Sequence, residues 1–106
     1  MLKFIKIGKQ TPPKRGVLER KEDFNEIYKE FIEEKAKEQS SRCSQCGIPF
    51  CQVHCPLSNN IPDWLKLTAE ERLKEAYELS QNTNNMPEIC GRICPQDRLC
   101  EGNCVI

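Results

Sequence analysis

The chain is short of almost everything a self-sufficient domain uses. Only 38% of its 106 residues are hydrophobic, against 30% charged, and a core that lean is marginal without a metal, a disulfide or a partner. No apolar run approaches the length of a membrane span. The amino terminus, Met1-Leu2-Lys3-Phe4-Ile5-Lys6-Ile7-Gly8, is broken by lysines and lacks a long apolar stretch and a small-residue cleavage site, so it does not read as a secretory signal. Net charge is absent, sixteen basic residues balancing sixteen acidic ones, which argues against a general attraction to nucleic acid. The five glycines form no G-x-G-x-x-G array, the fingerprint of a dinucleotide-binding turn. Sustained alternation of apolar and polar residues is missing too, so the expected fold is all-α.

What the chain has in excess is cysteine. All eight fall in two blocks, Cys43-x2-Cys46-x4-Cys51-x3-Cys55-Pro56 and Cys90-x3-Cys94-Pro95-x5-Cys100-x3-Cys104. With no secretory signal the expected location is the cytoplasm, where thiols stay reduced and dense cysteines serve as metal ligands rather than disulfides. Eight closely spaced thiolates suit a pair of iron-sulfur clusters, and the first block differs from the bacterial ferredoxin run only by its longer middle gap. Cys43, Cys46 and Cys51 suit three corners of one cube. A cysteine before proline ligates the other cluster in two-cluster ferredoxins, which sends Cys55 to the second site; symmetry alone would send Cys94 back to the first.

Four parts follow one another along the chain. Residues 1–20 form an N-terminal arm, held extended or turned by Pro12, Pro13 and Gly16. From Glu22 to Ser40 the residues Phe24, Ile27, Tyr28, Phe31, Ile32 and Ala36 recur at helical spacing, which predicts one amphipathic helix leading into the first cysteine block. Asn60 to Leu67 reads as a short helix with proline near its start. Thr68 with Glu71 reads as a capping box opening a further helix, with Ala69, Leu73, Ala76, Tyr77 and Ser80 on one face, that ends in the polar stretch 80–85. Met86-Pro87-Glu88-Ile89 starts a last helical segment running into Cys90.

Several motifs together resemble the N-terminal domain of the small (beta) subunit of NADPH-dependent glutamate synthase. They are Arg42-Cys43-x2-Cys46-Gly47-x-Pro49-x-Cys51, Cys55-Pro56, Asn60-x-Pro62-x-Trp64-Leu65, and the run Pro87-Glu88-x-Cys90-Gly91-Arg92-x-Cys94-Pro95-Gln96-Asp97-Arg98-Leu99-Cys100-Glu101-Gly102-x-Cys104. Dihydropyrimidine dehydrogenase has a similar domain. The resemblance covers essentially all of residues 1–106 and implies an alpha-helical ferredoxin domain built around two 4Fe-4S clusters. It places Cys43, Cys46, Cys51 and Cys104 on the first cluster and Cys55, Cys94 and Cys100 on the second, with Cys90 outside both. The fourth ligand of the second cluster is, by the same pattern, a carboxylate or amide downstream of the last cysteine, expected beyond Ile106.

The implied function is electron transfer: hydride from NADPH reduces FAD in regions outside this chain, and single electrons pass through the clusters to the large (alpha) subunit, where glutamate is made. The chain is thus expected to be a fragment whose partners are that large subunit and the rest of its own small subunit, inactive alone because it lacks the FAD and NADPH sites. The competing reading is a zinc-binding interaction module, since C-x2-C also suits tetrahedral zinc, although spacings of x4, x3 and x5 fit zinc fingers poorly. A disulfide-rich secreted binder fails on the missing signal. His54, the only histidine, is expected to face solvent or to support a ligand. Trp64, Phe24, Tyr28 and Phe31 are expected in the core. Arg15, Arg20, Arg42, Arg92 and Arg98 are candidates to donate hydrogen bonds near an anionic cluster.

Overall fold

Proline and short polar loops punctuate six helices in the computed structural model, which describes residues 1–106. A 3-10 turn at Lys3–Ile5 precedes α1 (Val17–Lys21), α2 (Glu33–Ser40), α3 (Phe50–Val53), α4 (Ile61–Ala69), α5 (Leu73–Gln81) and α6 (Pro87–Ile93). Helices α4 and α6 carry proline in their first turn, where the missing N–H costs no intrahelical bond. The chain has no strand and one isolated antiparallel bridge, Lys14 with Tyr28, so the all-helical expectation holds. Helix α4 is the hub, with α2, α3 and α5 packed on it.

The expected helix from Glu22 to Ser40 is only half present, because it begins at Glu33. The arm intercepts the first half: Arg15 N–H donates to Ile27 O (2.8 Å) and Lys29 N–H to Pro13 O (2.8 Å). The Arg15 guanidinium bonds both Asp23 carboxylate oxygens and Glu26 O. Asp23 Oδ1 also accepts from Asn25 N–H, a local side-chain turn of the kind that competes with helix. Arg15 holds the Asp23 carboxyl down at about 2, its hydrogen bond being the largest cause. Phe24, expected in the core, is fully exposed.

The arm itself departs from a purely extended form. The turn at Lys3–Ile5 and helix α1 interrupt it, and its first residues lace onto the end of α2. Leu2 N–H donates to Cys43 O (2.9 Å) and Lys3 N–H to Ser41 O (3.0 Å), while Arg42 Nε reaches Ile7 O (2.9 Å). The first cysteine is therefore fixed from the N-terminal side as well as from α2.

The expected capping box is replaced by a helix end. Thr68 lies inside α4, its hydroxyl donating to Trp64 O (2.8 Å). Arg72 N–H returns to Leu67 O (2.9 Å) and Glu71 N–H to Thr68 O (3.1 Å), the paired bonds of a Schellman termination. Glu71 occupies its left-handed position with φ 63°, where glycine is the unstrained residue. Glu71→Gly should therefore raise stability by about 1 kcal/mol, read as an upward shift of a few degrees in the thermal melt; a lower melt would show that the Lys37–Glu71 ion pair outweighs the strain.

Burial is sparse. Four residues are buried, the apolar Ala76 and Pro62 and the polar Ser40 and Ser41. The radius of gyration is 14.5 Å, against about 13 Å for a compact domain of this length. The protein part alone encloses no apolar core of ordinary size.

Candidate metal centre

Four short elements carry the eight thiols. Cys43 and Cys46 lie in the loop after α2, Cys51 is in α3, and Cys55 lies just past its end. Gln52 pins that exit by donating from Nε2 to Ser58 O (3.3 Å) and Asn60 Oδ1 (3.1 Å), while Ser58 N–H closes on Cys55 O (2.9 Å). Cys90 sits in α6 and Cys94 caps its C-terminus, since the residue before Pro95 leaves helical geometry. Cys100 and Cys104 follow in a knot of turns. There Gln96 O accepts from Glu101 N–H (2.9 Å) and Gly102 N–H (3.0 Å), and Asn103 Nδ2 donates to Arg98 O and Leu99 O.

The thiols gather across the two blocks. Burial pushes the Cys51 thiol up, with further upward pressure from Cys104, Cys43 and Cys100. Burial also raises Cys100, with Cys55 adding to it, and raises Cys94, with Cys90 and Cys55 beside it. Thiols of the second block thus bear on Cys51 of the first, Cys104 more than Cys100. One side of the assembly opens into a cleft of about 720 Å³ lined by Cys55, Cys90, Cys94 and Cys100 together with Trp64, Leu73, Ala76 and Tyr77.

Polar groups around the thiols fit an anionic, sulfur-bound group. Ser44 Oγ lies 2.9 Å from Cys46 Sγ, and Gln45 Nε2 donates to Cys43 Sγ at 3.3 Å. Within the cleft lining, the buried Trp64 Nε1 and Asn59 Oδ1 have no hydrogen-bond partner, a costly state for a dry polar atom unless another group completes it. All eight cysteines are free thiols. No three His, Cys, Asp or Glu side chains converge on a single-ion site.

Several of the other candidate residues are engaged elsewhere, although Arg20 Nε is buried without a partner. His54 is exposed, its Nδ1 2.9 Å from Phe50 O in the preceding helical turn. Arg15 and Arg92 pair with carboxylates, and Arg42 is spent on Ile7 O. What the sequence concealed is the donor set on the sulfurs, Ser44 and Gln45; polar residues between cysteines are the one signal that pointed there.

A family model described as dihydropyrimidine dehydrogenase domain II, 4Fe-4S cluster, matches residues 20–106. The chain is 71% identical, over all 106 residues, to the glutamate synthase [NADPH] small chain of Azospirillum brasilense, and covers 22% of that protein. It is 53% identical over 103 residues, 97% of its length, to the small chain of Escherichia coli K12, again covering 22%. The putative oxidoreductase AegA of the same bacterium is 48% identical over 96 residues, 90% of the chain and 15% of AegA. The chain therefore spans about a fifth of the length of the small chains it matches. No helix in it is long and apolar enough to cross a membrane. The chain belongs to the family of 4Fe-4S domains typified by domain II of dihydropyrimidine dehydrogenase.

Proposed function

We propose that this chain is the iron-sulfur segment of an NADPH-dependent glutamate synthase small subunit, carrying electrons between a flavin on its own subunit and the large subunit in the cytoplasm. The observation that carries the reading is the cleft on which Cys55 of the first block meets Cys90, Cys94 and Cys100 of the second, in a chain 71% identical to such a small chain. Bound 4Fe-4S clusters supply one-electron redox chemistry. Cys43, Cys46, Cys51 and Cys104 hold one cluster; Cys55, Cys94 and Cys100 hold the other, with a carboxylate or amide further along the polypeptide as fourth ligand. Cys51 in α3 and Cys55 just past its end, one for each cluster, support two sites close enough for electrons to pass between them. Ser44 and Gln45 offer N–H and O–H groups to the sulfurs, and the helical frame sets the thiol positions. FAD and NADPH belong to the regions that the relatives have and this chain does not span.

A second reading follows from the cleft, where Cys90 stands with Cys55, Cys94 and Cys100 and could supply the fourth corner. Alanine substitution at each position separates the two after anaerobic reconstitution, by iron and acid-labile sulfide per chain and by EPR of the reduced protein. Cys104→Ala should remove about half of the iron and Cys90→Ala almost none. Equal losses would assign Cys90 to the second cluster, and a parent chain that takes up zinc but no iron would end the electron-transfer reading.

A further inference from the structure

Gln45 stands between two ligand cysteines with φ 53°, in the left-handed region that costs a residue with a side chain roughly 1–2 kcal/mol. Glycine would sit there without strain, and strain of this kind persists only where the surroundings over-determine it. The fold-back brings two donors onto one sulfur: the backbone N–H of Gln45 lies 3.5 Å from Cys43 Sγ and its Nε2 3.3 Å. The same Nε2 donates to Pro62 O at 2.7 Å, in the first turn of α4. A primary amide carries two N–H donors and serves both acceptors at once, whereas a carboxylate carries none.

We propose that Gln45 is a positioning residue that sets the reduction potential of the cluster held by Cys43, Cys46, Cys51 and Cys104, and fastens that cysteine loop to α4. This rests on the cluster-binding reading above. Donors to a ligand sulfur stabilise the more negative, reduced cluster and raise its potential. Glutamate at 45 keeps the length of the side chain but replaces both donated bonds by a negative charge facing a thiolate and a carbonyl oxygen. Glycine removes both side-chain bonds, to Cys43 Sγ and to Pro62 O, but keeps the backbone N–H in place and relieves the strain.

The test uses the full-length polypeptide, reconstituted anaerobically, with Gln45→Glu and Gln45→Gly compared in EPR-monitored redox titrations. The first cluster's signal is the one that Cys104→Ala abolishes. At a fixed ambient potential Gln45→Glu should lower that cluster's reduced-to-oxidised ratio about tenfold, about 59 mV for a one-electron couple. Gln45→Gly should shift it the same way by less. The second cluster should titrate unchanged. A residue that only braced the loop would alter the melt and leave both potentials alone, and unchanged potentials in iron-replete variants would overturn the inference while leaving the cluster reading intact. A parent protein without iron would overturn both.

Discussion

Stripped of iron under reducing, anaerobic conditions, the chain should lose its cooperative thermal melt and much of its far-UV helical signal. The reason is the near absence of a core. Four of 106 residues are buried, two of them serines, so hydrophobic burial at roughly 25 cal/mol per Å² has little area to act on. Backbone ordering still costs about 1–2 kcal/mol per residue. The elements around the thiols are short, α3 having four residues and α6 seven, below the length at which isolated helices hold in water. When an empty site is not preformed, metal binding free energy becomes folding free energy, with structural zinc in small domains supplying about 10–16 kcal/mol as a guide to scale. Circular dichroism and calorimetry on matched loaded and iron-free samples decide the matter. An iron-free chain with the same melting temperature would show that the helices sustain themselves.

The same scarcity of core explains which parts of the fold were legible. Pro62 and Pro87 announced the starts of α4 and α6 because proline acts locally, whatever packs around it. Cysteine spacing announced a 4Fe-4S domain for the same reason. The periodicity of Phe24, Ile27, Tyr28 and Phe31 misled because a helical face persuades only if something covers it; here Phe24 is exposed, and the arm offered the backbone of residues 27 and 29 another set of partners. That competition is tertiary, though the Asp23-x-Asn25 turn was a local sign of it. Thr68 and Glu71 matched a start motif, yet their backbone bonds end the preceding helix, and both uses fit the same short string of residues.

In the site, spacing could group Cys43, Cys46 and Cys51, but bringing Cys104 to the same cluster, as proposed, spans more than fifty residues and depends on how the turns after α6 fold back. The donors on the sulfurs were less legible still. Gln45 reaches Cys43 only because its backbone takes a left-handed angle, which nothing in its residue type requires.

Gly102→Ala should cost more iron than any single cysteine substitution. Gly102 lies between Cys100 and Cys104, one proposed for each cluster, and its N–H closes the turn on Gln96 O at 3.0 Å. A methyl group there would overlap the Asp97 carbonyl oxygen and stand 2.6 Å from the carbonyl carbon. Those are backbone atoms, so no side-chain rotation relieves the clash. Overpacking typically costs about 1–3 kcal/mol where side chains can yield; a collision with backbone belongs at or above the top of that range, and the turn must open. Cys100 and Cys104 then swing away together, whereas removing either thiol alone leaves the other in register. Iron per chain should fall below that of both Cys100→Ala and Cys104→Ala. Gly8→Ala, where nothing lies within 4 Å, should keep the parent's iron. If Gly102→Ala retains full iron at both sites, the turn from Pro95 to Cys104 is pliable, and the placement of its two cysteines must come from the clusters themselves rather than from the chain.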